Sequence, residues 1–414
     1  MQEIRRDIYL NQVVRKMGNG LIKVITGIRR SGKSYLLDPI FERYLLSNGV
    51  PADHILRIEL DRLSNRHFHH DPEQLEQYIL SKIIDERTHY ILLDEIQLVD
   101  QFELLLNSLL YERNLDIYIT GSNSKFLSSD IITEFRGRSD RIHVNPLSFG
   151  EFYPASGKDK SDAWSEYLAY GGMPMILAQK TDEDKATYLK ELFIQTYISD
   201  IVERHQIRRT DILDSMIDIL ASSVGSLTNA QKIYDTFKSH GIGELSINTV
   251  NDYIRYLEDA FLIQRANRYD VKGRKYISTP QKYFFSDVGL RNARLNFRQQ
   301  EPAHLMENII YNELRTRGYN VDVGVVTIRD NDRRIQTEVD FICNTGSNRY
   351  YIQSALNIDT PEKLQQEVRP LCHIGDSFKK IIVVKDNPRP WRNNDGILVM
   401  GILDFLLDLN SLNL

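Results

Sequence analysis

The chain has 414 residues, 42% of them hydrophobic, enough to build a core in each of two or three domains. Its 52 Lys and Arg against 57 Asp and Glu give a formal net charge of −5, so nucleic acid or anionic lipid would have to find a local basic patch. Two cysteines outside any metal-ligand spacing, a charged N-terminus and no apolar run of membrane-spanning length point to a globular chain in a reduced, cytoplasmic setting without a membrane partner.

In chain order, the first strong signal is the apolar strand LIKVIT, followed by GIRRSGKS from Gly27 to Ser34 and by KSYLLDPIFERYLL at helical spacing. The pattern G-x-x-x-x-G-K-S between a strand and a helix is a phosphate loop. Gly27 and Gly32 permit backbone conformations that turn the amides of Arg29, Arg30, Ser31 and Ser34 inward, at the positive end of a helix dipole. Lys33 would reach the β- and γ-phosphates of ATP, Ser34 would offer its hydroxyl to Mg²⁺, and Tyr35 completes the nucleotide-binding stretch. The side chains of Arg29 and Arg30 either add positive field or point outward.

HILRIEL (54 to 60) reads as a second strand, and the helix QLEQYILSKIIDE follows a polar loop. His67, His69 and His70 in that loop fit no helix face and are given no metal role. HYILLDEIQ is a buried strand that delivers Asp94 and Glu95 to its C-terminal end, where ligands bind in an open parallel sheet. Asp94 would complete the Mg²⁺ shell and Glu95 would take a proton from the attacking water. LDIYITGSN (115 to 123) offers Asn123, with Thr120 and Ser122 as lesser candidates, to position that water; Asn123 is equally suited to cap the next helix. Arg136 and Arg138 then precede the last strand of this region, RIHVNPL. They either cover the sheet edge or reach a neighbouring subunit's nucleotide.

Taken together, GIRRSGKS, YILLDEIQ, YITGSNS and EFRGR resemble the Walker A, Walker B, sensor and arginine-finger segments of the AAA+ ATPases. The G-x-R-R-x-G-K form, FRGR before PLSFGEF and the later YGGMP (170 to 174) are similar to a widespread prokaryotic AAA+ family whose core precedes a domain of unknown function on a nuclease-like fold. The resemblance implies five parallel strands, a helical lid and homo-oligomers, usually hexameric rings. It matches Arg138 best to the finger, with Arg136 in reserve.

The organisation expected is α/β: an ATPase core over 1–150, a helical lid over 151–208, a winged helix-turn-helix over 209–298 and a nuclease-like domain over 299–414. In the third segment Thr228 and Gln231 form a capping box, Gly241 closes that helix, and Ser246 caps INTVNDYIRYLEDAFLI, with Val250, Ile254, Leu257 and Phe261 on its buried face. A hairpin turning at Lys272-Gly273-Arg274 follows. Between Ile263 and Arg298 stand nine Lys or Arg against two Asp or Glu. Arg265, Arg268, Lys272, Arg274 and Lys275 would hold duplex or forked DNA by its phosphates, or the charges would serve a neighbour's acidic core.

The last segment reads helix, hairpin, strand, helix and a final strand KKIIVVKD, which resembles the restriction-endonuclease-like fold. Glu307 and Asp340 match two of that family's metal-binding positions. Its E-x-K triplet is replaced by Gln353-Ser354-Ala355, which removes the lysine, so cleavage is not expected unless Lys363, Lys379 or Lys380 substitutes. The reading favoured is an ATPase coupled to DNA. A nucleotide-controlled assembly protein and a residual nuclease are its rivals.

Overall fold

In the computed structural model the apolar runs of the first unit, Ile4–Pro146, become strands β1 (Ile22–Thr26), β2 (Ile55–Glu59), β3 (His89–Asp94), β4 (Leu115–Thr120) and β5 (Ser139–His143). The structure describes residues 4–121, 135, 137–239, 245–299, 301–330, 333–386 and 388–414; Ser122, Asn123, Arg136 and Gly241 lie outside them. All five strands pair in parallel, in the order β2-β3-β4-β1-β5. Both faces are covered. Ile22, Val24, Ile91, Leu93, Ile117 and Ile119 pack on one side with the helices Pro72–Leu80 and Phe102–Leu109. Ile25, Leu92 and Tyr118 pack on the other with Tyr9, Leu36 and Phe41. Double burial explains why these strands read as nearly continuous apolar runs.

The exception inside the sheet is Lys23, fully buried in β1. Its ammonium pairs with Asp116 of β4, which also accepts from the Tyr118 hydroxyl at 2.8 Å and the Gly18 amide at 2.9 Å. Two boundaries differ from expectation. The helix after the phosphate loop runs through Lys33–Tyr35, Leu36–Phe41 and Glu42–Ser47 but breaks at Asp38 (φ −137°, ψ 116°), just ahead of Pro39. The next helix is capped by Asp71, whose carboxylate accepts from the Gln74 amide. It stops at Leu80, where the Ser81 hydroxyl donates back to the Tyr78 carbonyl.

The second unit, residues 147–414, opens with helices Phe149–Ser156, Lys160–Tyr170, Asp182–Glu191, Leu192–Ile198, Ser199–His205 and Thr210–Ser222. Here the YGGMP segment has a structural explanation. A side chain at Gly172 would sit 2.1 Å from the Leu147 carbonyl oxygen, and one at Gly171 (φ 70°) would strike Asp287. Asp287 in turn accepts from the amides of Gly172 (2.7 Å) and Leu290 (3.0 Å), which seats the buried helix Val288–Arg294 against the end of Lys160–Tyr170. Burial pushes the Asp287 carboxyl up to about 6 even against those backbone donors.

Helices Ala230–Ser239 and Ile247–Asp259 follow. Ser246 caps the second as expected, its Oγ accepting from the Thr249 amide, and Val250, Tyr253, Ile254 and Leu257 are its buried residues. The first is not opened by Thr228. That residue's backbone bridges to Gln281, and the side chain of Asn229 accepts from the Lys232 amide at 2.7 Å instead.

Strands β6 (Ile263–Asp270), β7 (Lys275–Phe285), β8 (Asn320–Asp330), β9 (Arg333–Thr345), β10 (Asn348–Ala355), β11 (Lys379–Val384), β12 (Trp391–Arg392) and β13 (Leu398–Gly401) form one mixed sheet in the order β12-β13-β11-β10-β9-β8-β6-β7. The hairpin β6-β7 therefore continues the C-terminal sheet, through parallel pairing of Arg268–Asp270 with Val323–Val325. KKIIVVKD is not the final strand, because β13 pairs beside it and β12 beyond. Helix Pro302–Thr316 lies in sequence before β8 and helix Pro361–Cys372 before β11, and the latter packs Val368 and Leu371 on Ile342, Tyr351 and Ile382. Among the described residues no helix is long and apolar enough to cross a membrane.

Candidate functional site

The C-terminal ends of β1, β4 and β3 lie side by side in the first unit and bring the two motifs together. Gly27 leaves β1 with φ 145°, and a Cβ there would meet the Val144 carbonyl oxygen at 2.1 Å, so only glycine fits. Gly32 (φ 96°) turns the chain into the helix beginning at Lys33, and Arg30 also takes a positive φ of 62°. The Lys33 ammonium is folded into the loop, donating to the carbonyls of Gly27 (3.0 Å) and Ile28 (3.1 Å). Its burial lowers its pKa to about 8, against the opposing pull of Glu95 and Asp94. Among the described residues the buried Ser31 hydroxyl has no hydrogen-bond partner. Arg29, Arg30 and Tyr35 are on the exposed side.

Ser34 and Asp94 meet as the motif pair requires: the Ser34 hydroxyl donates to Asp94 Oδ1 at 3.0 Å. Burial raises the Asp94 pKa, while hydrogen bonds from Thr120 and Ser34 work in the opposite sense. Thr120, a lesser candidate for positioning water, is placed instead between the two acidic residues. Its hydroxyl donates to Asp94 Oδ1 (2.5 Å) and accepts from the Glu95 amide (3.0 Å), fixing both acidic residues from the neighbouring strand. Glu95 takes the left-handed conformation (φ 55°), and its carboxylate accepts from the Gln97 side chain. Sequence reasoning does not find Gln97. A hydroxyl ending an apolar strand is the available signal for Thr120; nothing local marks Gln97. Arg138 is exposed, with its backbone joined to Phe135 and Ile22.

An oxygen-only set of the Ser34 hydroxyl and the Asp94 carboxylate suits a hard cation such as Mg²⁺, and an orphaned hydroxyl with a buried lysine beside a glycine turn suits phosphate. A different cluster, His54, Asp85 and His89, gathers its ligand atoms within 4.8 Å of one another. Its four ring nitrogens are already engaged by Asp53, Asp85, Arg87 and the Ile84 amide, so it is not assigned a metal.

In the second unit Glu307, Asp340 and Gln353 converge. Asp340 accepts from the Ser354 amide at 2.8 Å, and Gln353 Oε1 accepts from the Asp340 amide at 3.4 Å. The lysine among them is none of the three named as possible substitutes. Lys363 donates to Asn357, Lys379 to the carbonyls of 412–414 and Lys380 to Ile374. Instead Lys282 of β7, 4% exposed, places its ammonium 2.7 Å from Glu307, 2.5 Å from Glu338 and 3.8 Å from Asp340. Burial acts to lower the Lys282 pKa, but the three carboxylates more than offset it and the net shift is upward. Burial pushes Glu307 up to about 8 and raises Asp340 as well.

The basic patch is smaller than composition suggests. Four of its nine cations are spent inside the fold: Arg265 on Glu258, Lys282 on the acidic cluster, Arg291 on the Ala221 and Gln299 carbonyls, and Arg294 on Asp214 and Asp218. Arg268 is half-buried, whereas Lys272, Arg274 and Lys275 are exposed around the β6-β7 turn.

Residues 19–153 match a family model described as an AAA domain, and residues 161–301 match one described as a domain of unknown function (DUF8612). An uncharacterised protein of Haemophilus influenzae is 36% identical over 411 residues, covering 98% of both chains. This chain belongs to that protein's family, with an AAA domain at its front. A second uncharacterised protein, from Methanocaldococcus jannaschii, is 28% identical over 378 residues, or 88% of this AAA protein and 80% of its relative. A Walker-type ATPase of Pyrococcus abyssi overlies 71% of this chain and 96% of its own with a TM-score of 0.50 at 16% identity, a likeness of fold.

Proposed function

We propose that this AAA protein hydrolyses ATP in an oligomer, and that its second unit couples turnover to DNA. The observation that carries the ATPase reading is the bond from Ser34 to Asp94, with the Thr120 hydroxyl tying Asp94 to the Glu95 amide, beside the buried Lys33. Lys33 and the loop amides bind the phosphates; Ser34 and Asp94 hold Mg²⁺, which supplies electrostatic stabilisation of the transferring phosphoryl group. Glu95, oriented by Gln97 and by its own fixed backbone, takes the proton from water. Arg138, exposed in the single chain, supplies charge to a neighbouring copy's nucleotide in a ring, in keeping with the family resemblance.

Thr120→Val tests the support for this site with little change in volume. Phosphate release measured across a Mg²⁺ series should fall by about 10- to 100-fold in activity or metal affinity, the usual effect of removing an outer partner of a ligand. An unchanged Mg²⁺ response would remove Thr120 from the machinery.

For the second unit we favour a winged helix followed by a nuclease-like domain without cleavage. The order of helix, β8, β9, β10, helix and β11, with Asp340 on β9 and Gln353 on β10, supports the domain reading. The ammonium of Lys282 stands between the carboxylates of Glu307, Glu338 and Asp340, so a metal ion there would meet a positive charge already in place, which argues against a metal-dependent nuclease. DNA is then held through phosphates by Lys272, Arg274 and Lys275, while Arg265 is committed to Glu258. Replacing the three exposed cations by alanine should weaken binding to duplex and forked DNA and flatten the log–log salt dependence by roughly 0.9 for each phosphate no longer neutralised. A salt slope equal to that of the unaltered protein would overturn this part.

A further inference from the structure

Beside the exposed turn, the β6-β7 hairpin, the β9-β10 turn and the segment before β11 enclose an open cavity of about 590 Å³. Its lining is cationic and aromatic together. Lys272 and Arg274 stand on one wall, Tyr269 and Phe378 supply rings, and Arg349 lies between them, its guanidinium carbon 5.7 Å from the Tyr269 ring centre and 5.6 Å from that of Phe378. Arg349 is fixed in that position by Nε donating to Asn344 Oδ1 at 2.8 Å. Phe378 is 40% exposed, an unusual placement for a phenylalanine. One carboxylate, Asp376, lines the cavity; it accepts from the Tyr351 hydroxyl (2.6 Å) and the Phe378 amide (3.2 Å).

We propose that this cavity binds an unpaired segment of nucleic acid, with a base stacked on the exposed face of Phe378 and the adjoining phosphates on Arg274 and Arg349. This rests on the DNA reading above and narrows it, because it adds Arg349, Tyr269 and Phe378 to the turn's charges and selects a single strand. In a duplex the faces of the bases are covered by their neighbours, so an exposed ring has nothing to stack on. A single strand can turn a base out toward it. The small residues Gly346, Ser347 and Gly375 in the lining leave room for a sugar-phosphate backbone.

The test uses the full chain and fluorescence anisotropy with a labelled oligo(dT) of about twelve nucleotides and a labelled duplex of about the same length, within the usual site size for single strands. Phe378→Ala should weaken oligo(dT) binding about tenfold or more, the expected loss for a stacked base, and should leave duplex affinity within about twofold. Phe378→Trp should restore the single-strand affinity, and Arg349→Ala should reduce it. Because Arg349 packs on the Phe378 ring, the melting temperatures of both Phe378 variants are measured beside their binding, and Phe378→Trp keeps a ring in that contact.

Oligo(dT) affinity unchanged in Phe378→Ala would overturn the cavity proposal while leaving the salt-dependent duplex binding of the turn intact. Equal weakening of duplex and oligo(dT) would also overturn it, as would displacement of oligo(dT) by a polyglutamate peptide at matched charge, which would mark a general anion site. A parent protein that binds neither probe would sink the broader DNA reading together with this one.

Discussion

Lys33→Ala will fail to bind ATP, whereas Glu95→Gln will bind it and hold it uncleaved. The two residues share one site but act on different quantities. Lys33 is an ammonium held over the loop carbonyls of Gly27 and Ile28, and replacing it leaves the phosphates without their buried counter-charge. Glu95→Gln keeps the shape of the side chain beside Gln97 but removes the proton acceptor, so turnover should fall by about 10²- to 10⁴-fold with little change in affinity. Equilibrium binding of a fluorescent ATP analogue and steady-state phosphate release separate the two. Equal loss of binding in both variants would contradict the assigned roles.

The pH dependence of binding gives an independent check on Lys33. Burial lowers its pKa to about 8, so the folded chain carries fewer protons than the unfolded chain between pH 8 and the ordinary lysine value. Folding stability from this group therefore rises with pH across that window. Phosphates restore the charged form, so ATP binding at about pH 8 to 9 should take up a proton and weaken as pH rises. Calorimetry in two buffers of different ionisation enthalpy reads that uptake directly.

The parts of this molecule that can be read from sequence are those whose physics is local. A glycine pattern, a strand-to-helix transition and an apolar run ending in Asp94-Glu95 each carry their signal within a short stretch of chain, and the parallel core is laid out accordingly. Ser246 declares itself as a cap for the same reason, while Thr228 does not behave as one because a distant residue, Gln281, claims its backbone. Tertiary pairing overrides the local preference. Lys282 is hidden in the sequence for a related reason. As one of nine cations in a basic stretch it looks like surface charge, and only the approach of Glu307 from a helix and of Glu338 and Asp340 from β9 reveals it as interior. Strands β12 and β13 escape a reading of periodicity because WR is too short for alternation and LVMG follows a run of polar and proline residues. In each case charge or pattern is visible, but the partner that gives it meaning lies far along the chain.

Lys282→Met should destabilise the second unit by about 3–5 kcal/mol, because it leaves the buried carboxyls of Glu307 and Asp340, with half-exposed Glu338 beside them, without their cation. Both tryptophans, Trp164 and Trp391, belong to that unit, so their fluorescence follows its unfolding without interference from the nucleotide-binding unit. For a unit of this size the cost corresponds to a fall in melting temperature of about 10 °C. The deficit should itself depend on pH. Glu307 already has its folded pKa raised to about 8 by burial, so the folded state binds the extra proton, and its contribution to stability falls as pH rises from the ordinary glutamate range through 8. Without the ammonium this dependence steepens, and the variant should lose least at about pH 5 and most at about pH 8. Adding Glu307→Gln to Lys282→Met removes one of the unpaired charges and should recover part of the loss, a coupling that two independent sites would not show. A melting temperature within about 2 °C of the parent at about pH 8 would mean that water reaches the carboxylates and that Lys282 is no more than a neighbour.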